Sequence, residues 1–147
     1  MRLWFGFGLY VAGACALWAQ DSQSGTIRVR VEDVIPGKGQ VRMALENNAN
    51  DFDSGSFDTP KYLSSVVDAK ATSEVVIFAS IPYGTYAIKV FQDLDRDGKL
   101  KTGFMGAPDE PWGFSNDASG FMGPAEFSDA KFELKDPTLE LTIHLKK

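Results

Sequence analysis

The chain has 147 residues, a net charge of −5 and aromatic side chains at 12% of positions. That length suits one domain burying roughly two-thirds of its unfolded surface and is short for two, and the aromatic content excludes a disordered chain. An acidic chain without a basic stripe is a poor partner for nucleic acid or anionic membranes and suits cations better.

Residues 1–19 read as a secretory signal peptide. Arg2 gives the positive start, Leu3 to Trp18 is apolar or small throughout, and Ala19-Gln20 offers a small-residue cleavage point. The run is too short and glycine-rich to favour a retained transmembrane helix. The sole cysteine, Cys15, lies inside it. Ala12-Gly13-Ala14 lacks the large aliphatic residue that would mark Cys15 for lipid anchoring. The exported chain is then free of disulfides, thiolate chemistry and Cys-based metal sites. A short polar tail, residues 20–24, precedes a single domain spanning residues 25–147.

Gly25 to Glu32 alternates, with Ile27, Val29 and Val31 on one face, as a half-buried strand does. Pro36-Gly37-Lys38-Gly39 is a turn cluster, and Gln40 to Glu46 alternates again through Val41, Met43 and Leu45. The two runs read as a β-hairpin. Asn47 to Pro60 is polar around Phe52 and Phe57, a solvated loop pinned by two aromatics. Tyr62 to Val67 suits a short edge strand, and the continuous apolar run Val75-Val76-Ile77-Phe78 suits a central one.

After Pro82-Tyr83-Gly84, the stretch Thr85 to Phe91 puts Tyr86, Ile88 and Val90 on one face. Phe91 falls opposite, under the following loop. A long loop, residues 92–130, rich in glycine, proline and aromatics, comes next. Ala130 to Leu134 and Thr138 to Leu145 then resume the alternation around an Asp136-Pro137 turn. His144, the only histidine, lies on the polar face of the last run, as a surface strand residue without a catalytic partner does. No segment holds a helical period, so helix is expected only as a turn or two within loops. Six to seven short strands separated by turns make an all-β fold, a single antiparallel β-sandwich of immunoglobulin-like or prealbumin-like type with one long ordered loop.

The turn and strand Ile81-Pro82-Tyr83-Gly84-Thr85-Tyr86-Ala87-Ile88-Lys89-Val90 resembles those of prealbumin-like and carboxypeptidase-regulatory-like sandwiches. A more specific set runs along nearly the whole exported chain: Gly84 to Asp93, Asp95, Asp97-Gly98-Lys99-Leu100, Gly106-Ala107-Pro108, Glu110 to Asn116, and Phe127-Ser128-Asp129-Ala130. These motifs, in this order, resemble the bacterial family catalogued as domain of unknown function 2141. The resemblance implies an exported β-sandwich and assigns no activity. Gln92 stands where histidine is common in that family, Arg96 where asparagine is frequent and Trp112 where tyrosine is frequent. All three aspartates of the ladder are kept.

Asp93-x-Asp95-x-Asp97-Gly98 is the opening half of a calcium loop, with hard oxygen ligands at alternate positions and glycine at the sharp turn. Lys99 would add its backbone carbonyl, and Leu100 would anchor the loop to the core. The twelfth position, where a bidentate glutamate belongs, is Phe104, and a strand rather than a helix precedes the loop. Further ligands would come from Asp109 and Glu110, from Asp117, or from Asp51 and Asp53 if the two long loops share one end. The plainer alternative is a solvated turn closed by Asx-type hydrogen bonds. Three carboxylates within five residues repel unless something neutralises them, which favours a structural Ca²⁺.

Trp112, Phe114 and Asn116 offer a second site, a stacking surface for a sugar ring or a peptide. Against that stands a private core for the long loop, with Phe104, Phe121 and Phe127 in the same role. Aspartates alternating toward one centre do not make the acid and base pair of a glycosidase, and no phosphate-cradling glycine loop is present. The sequence therefore points away from an enzyme. It points to a periplasmic or extracellular binding or accessory module, monomeric, with an unknown protein or glycan partner and no membrane insertion after cleavage. The alternative is carbohydrate or peptide recognition through Trp112 and Phe114 without a metal.

Overall fold

A computed structural model describes residues 23–54 and 56–147. The expected signal peptide (residues 1–19), with Cys15 in it, and the first residues of the expected polar tail lie outside the described residues. Eight strands and two short helices follow in order: β1 (Ser24–Glu32), β2 (Gln40–Glu46), α1 (Ala49–Asp53), β3 (Leu63–Asp68), β4 (Ser73–Pro82), β5 (Gly84–Asp93), β6 (Trp112–Phe114), α2 (Phe127–Ala130), β7 (Phe132–Leu134) and β8 (Thr138–His144). They form an all-β sandwich of two sheets. One has the order β4-β1-β8. The other runs β3-β2-β5-β6, and β7 also pairs with β5.

Three expectations need correcting. First, β1 and β2 do not form a hairpin: β1 pairs with β4 and β8, while β2 pairs with β3 and β5. Hairpin turns favour two to five residues, whereas the connection here carries the chain from one sheet to the other. Gln92, fully buried, holds that arch. Its Nε2 donates to the carbonyls of Ile35 (2.8 Å) and Lys38 (2.6 Å), and its Oε1 accepts from the Ile35 amide (2.9 Å). Gly39 has φ +65° and sits against Asp93, where an added Cβ would collide with the Asp93 carbonyl oxygen.

Second, the sandwich is not wholly antiparallel, because β1 and β8 run parallel from Thr26↔Thr138 to Glu32↔His144. The Asp136-Pro137 turn lets the chain leave β5 and enter the other sheet, with the Thr26 amide bonded to the Pro137 carbonyl (2.9 Å). Third, β4 is an edge strand with Ile77 54% exposed, and the strand buried on both faces is β5.

One face of β5 presents Tyr86, Ile88 and Val90 to the core between the sheets, with Ile27, Val29 and Val31 of β1, Val41, Met43 and Leu45 of β2, and Ile143 of β8. Its other face carries Ala87, Lys89 and Phe91, which the two long connections cover. Ala87 belongs to a second core with Phe52, Phe114, Ala125 and Ala130, against which Phe57, Trp112 and Phe127 pack. Phe91 meets Phe57 edge-on at 6.1 Å, so the earlier long connection covers it. Burying each phenylalanine fully contributes roughly 1.5–3 kcal/mol, which is ample reason for both connections to fold down.

Candidate functional site

Asp93 ends β5 and is fully buried. Its Oδ2 accepts from Arg42 Nε at 2.7 Å and from the Gly98 amide at 2.9 Å, and its Oδ1 accepts from the Asp97 amide at 3.2 Å. Burial alone would raise its pKa. The Gly98 amide and the Arg42 guanidinium outweigh that and hold it below the ordinary carboxylate value. The turn continues in the same manner. Asp95 Oδ1 accepts from the Asp97 amide (3.3 Å), and Asp97 Oδ1 accepts from the Lys99 amide (2.8 Å). Arg96 and Gly98 both take positive φ, 60° and 80°, which folds the ladder into a tight coil. Arg96 Nη1 then pairs with Asp68 at 3.1 Å.

Asp93, Asp95 and Asp97 each place one carboxylate oxygen within 4.8 Å of the others, with Asp95 and Asp97 exposed. The remaining candidate ligands are elsewhere. Glu110, 2% exposed, accepts from the Leu94 amide through Oε1 (2.8 Å) and from the Lys101 amide through Oε2 (2.9 Å). It clips the two limbs of the coil together from a position sixteen residues beyond the first. Asp109 is exposed and lies beside Gly103. Neither belongs to the three-carboxylate group. Asp117 accepts from the His144 amide and from His144 Nδ1, both at 2.7 Å. That hydrogen bond raises the pKa of the exposed imidazole. Asp53 caps α2 through the Phe127 amide (2.8 Å). Asp51 lies in the first turn of α1, where its amide donates to the capping Asn48 Oδ1 (2.9 Å) and its carboxylate accepts from Asn48 Nδ2 (2.6 Å). The two long connections do meet, but those aspartates are spent on joining and capping them.

The residues expected to display a binding surface divide. Phe114 is 1% exposed, with ring centroids 5.4 Å from Phe57, 5.5 Å from Trp112 and 5.7 Å from Phe52. It is a core residue. Asn116 has φ 62° and donates to the carbonyls of Lys131 (2.9 Å) and Asp129 (3.2 Å), fastening the insert to α2 and the residue after it. Only Trp112 remains half-buried, on the wall of a hollow of about 460 Å³. Ser115, fully buried between β6 and β7, accepts from the Ile88 amide (2.9 Å) and bonds the Ala130 carbonyl. It fills the gap those two strands leave along the edge of β5.

The family model described as an uncharacterized protein conserved in bacteria, domain of unknown function 2141, matches residues 29–142. The chain belongs to this family. No curated protein and no solved structure matches it. In this member of domain of unknown function 2141, the motifs shared with the family serve largely to hold the long loop against β5. Glu110 clips the coil, and Phe114, Ser115 and Asn116 knit β6 to α2 and β7.

Two features escaped the sequence reading. Phe104 and Phe121 are not part of a loop core: they are 90% and 95% exposed, with Met105 and Met122 beside them at 89% and 93%. The signal was available as a repeat, since Gly103-Phe104-Met105-Gly106 recurs as Gly120-Phe121-Met122-Gly123. The other is Lys89, 2% exposed, whose ammonium lies 4.9 Å above the Phe52 ring and 5.7 Å from that of Phe57 and bonds the Ser56 carbonyl at 3.2 Å. Burial lowers its pKa against the opposing influence of Glu46 and Asp53. A lone cation on the second face of an otherwise apolar strand marked it.

Proposed function

We infer that this family member is an exported, non-enzymatic binding or accessory module whose long loop is ordered by one Ca²⁺ at Asp93, Asp95 and Asp97, with the Lys99 carbonyl and water completing the shell. The observation that carries this is the convergence of three carboxylates on one centre at the end of β5. Arg42 compensates one of the three charges, and the two left over suit a divalent ion held by hard oxygens. The non-enzymatic reading rests on the commitment of the buried carboxylates. Glu110 is occupied by amides and Asp93 by Arg42 and amides, so neither stands ready to move a proton.

A ligand bound only by the folded chain stabilises it by about 2.7 kcal/mol at a hundredfold excess over Kd, which shifts a domain of this size by on the order of ten degrees. Thermal melts with calcium and with chelator should differ by that order. Asp95→Asn with Asp97→Asn should abolish the difference without lowering the melt in chelator, because both side chains are exposed. Superimposed melts of the parent protein, together with no heat on calcium titration, would remove the ion. Recognition of a sugar or peptide is a second reading, supported by the hollow beside Trp112. Under it, Trp112→Ala loses ligand binding and leaves the calcium response intact.

A further inference from the structure

Two loop tips stand on one rim. Met105 and Gly106 line the same hollow as Met122 and Gly123, with Leu100, Pro108 and Trp112 deeper in the wall. No residue lining that hollow is charged. From Thr102 to Pro108 and from Ala118 to Ala125 the chain has no charged side chain, although 24% of all its residues are charged. Each tip reaches its apex with a methionine at positive φ, 58° at Met105 and 56° at Met122, and the backbone there holds phenylalanine and methionine out together. Four large apolar side chains, each at least 89% exposed, are costly in water: Met105 and Met122 on this hollow, Phe104 next to Met105 in the chain, and Phe121 on the neighbouring hollow beside Phe52 and Phe57.

We propose that this rim docks on a lipid bilayer surface, with Phe104, Met105, Phe121 and Met122 entering the headgroup and upper acyl region. Side chains that protrude this far rest on little of their own protein. A protein partner would have to supply a separate complementary pocket for each, whereas a bilayer accommodates any such outline. The charges flanking the tips are of both signs: Lys99 and Lys101 before the first and Asp109 after it, Asp117 and Glu126 about the second. That mixture suits zwitterionic headgroups, in which phosphate and ammonium alternate, better than an anionic surface. Entry is shallow, since among the described residues no helix is long and apolar enough to cross a membrane. The docking is independent of the Ca²⁺ assignment.

The test uses the protein from Gln20 onward, because the apolar leader would bind vesicles by itself. Among the described residues, every strand and both cores lie within Ser24–Leu145. Trp4 and Trp18 fall in the leader, so Trp112, beside the tips, is the only tryptophan of this form. Phosphatidylcholine vesicles should sediment the protein and blue-shift its emission, and brominated acyl chains should quench it. Added phosphatidylglycerol should not strengthen the binding. Phe104→Ser and Phe121→Ser should each weaken partition about tenfold, and the pair about a hundredfold, with an unchanged melting temperature. Absent sedimentation, or equal binding by the double variant, overturns the proposal. So does a dimer by analytical ultracentrifugation that the double variant dissolves, because the tips would then be covering one another.

Discussion

The long loop contains two kinds of segment, and the difference between them is instructive. Residues 92–101 and 109–117 are tied down through buried polar side chains, by Gln92 to the arch, Asp93 to Arg42, Glu110 to Leu94 and Lys101, and Ser115 to Ile88 and Ala130. Residues 102–108 and 118–125 end in apolar tips that touch little. The first kind is scaffold: its buried polar atoms all find partners, and it fixes where the second kind emerges. A loop this long stays ordered only if part of it builds a core of its own, and here the ordering is done by the polar clips as much as by Phe114.

Breaking a clip should cost far more than trimming a tip. Glu110→Ala strands the Leu94 and Lys101 amides and should lower unfolding free energy by about 3 kcal/mol in urea titrations. Gln92→Ala removes three hydrogen bonds at the arch and should cost about 2 kcal/mol. Asp93→Asn keeps the Gly98 contact in weakened form but loses the ion pair with partly exposed Arg42, at about 1–2 kcal/mol.

Asp93 also predicts a pH dependence. Its folded pKa lies below the ordinary 3.8, so the stability it adds is present above about pH 4 and is lost as pH falls through the folded value. Melts taken from pH 5 downward should therefore decline more steeply for the parent than for Asp93→Asn, and parallel curves would remove Asp93 from the acid transition. Smallest of all, Phe104→Ser and Phe121→Ser should shift stability by no more than about 0.5 kcal/mol, since both rings are already in water. A large loss there would mean that the tips fold back onto the body, and the contrast between clips and tips would fail.

The strands were legible in the sequence because period-2 alternation reports directly on which side chains leave water. Ile27, Val29 and Val31, and Tyr86, Ile88 and Val90, lie in the core as their spacing requires. The carboxylates of Asp93, Asp95 and Asp97 were found together because alternation in a tight turn is local. Glu110 was not placed: its role depends on a contact back to Leu94 across the coil, and a carboxylate that caps amides has no sequence mark distinguishing it from a metal ligand. Phe114 and Phe104 look equally apolar in sequence, yet one is 1% and the other 90% exposed. Composition cannot say which ring finds the face of β5.

The sequence by itself determined that this chain is an all-β sandwich, where its strands run, and that an acidic coil follows β5, because each of these depends on neighbours a few residues apart. Only the tertiary structure decided that β1 and β2 belong to different sheets and that β8 lies parallel to β1. Strand alternation records burial but carries no information about partner or direction. The same holds for the ladder and the tips. Local spacing brought three aspartates to one centre, while packing against the second face of β5 took Phe114 and Ser115 inside and left Phe104, Met105, Phe121 and Met122 exposed.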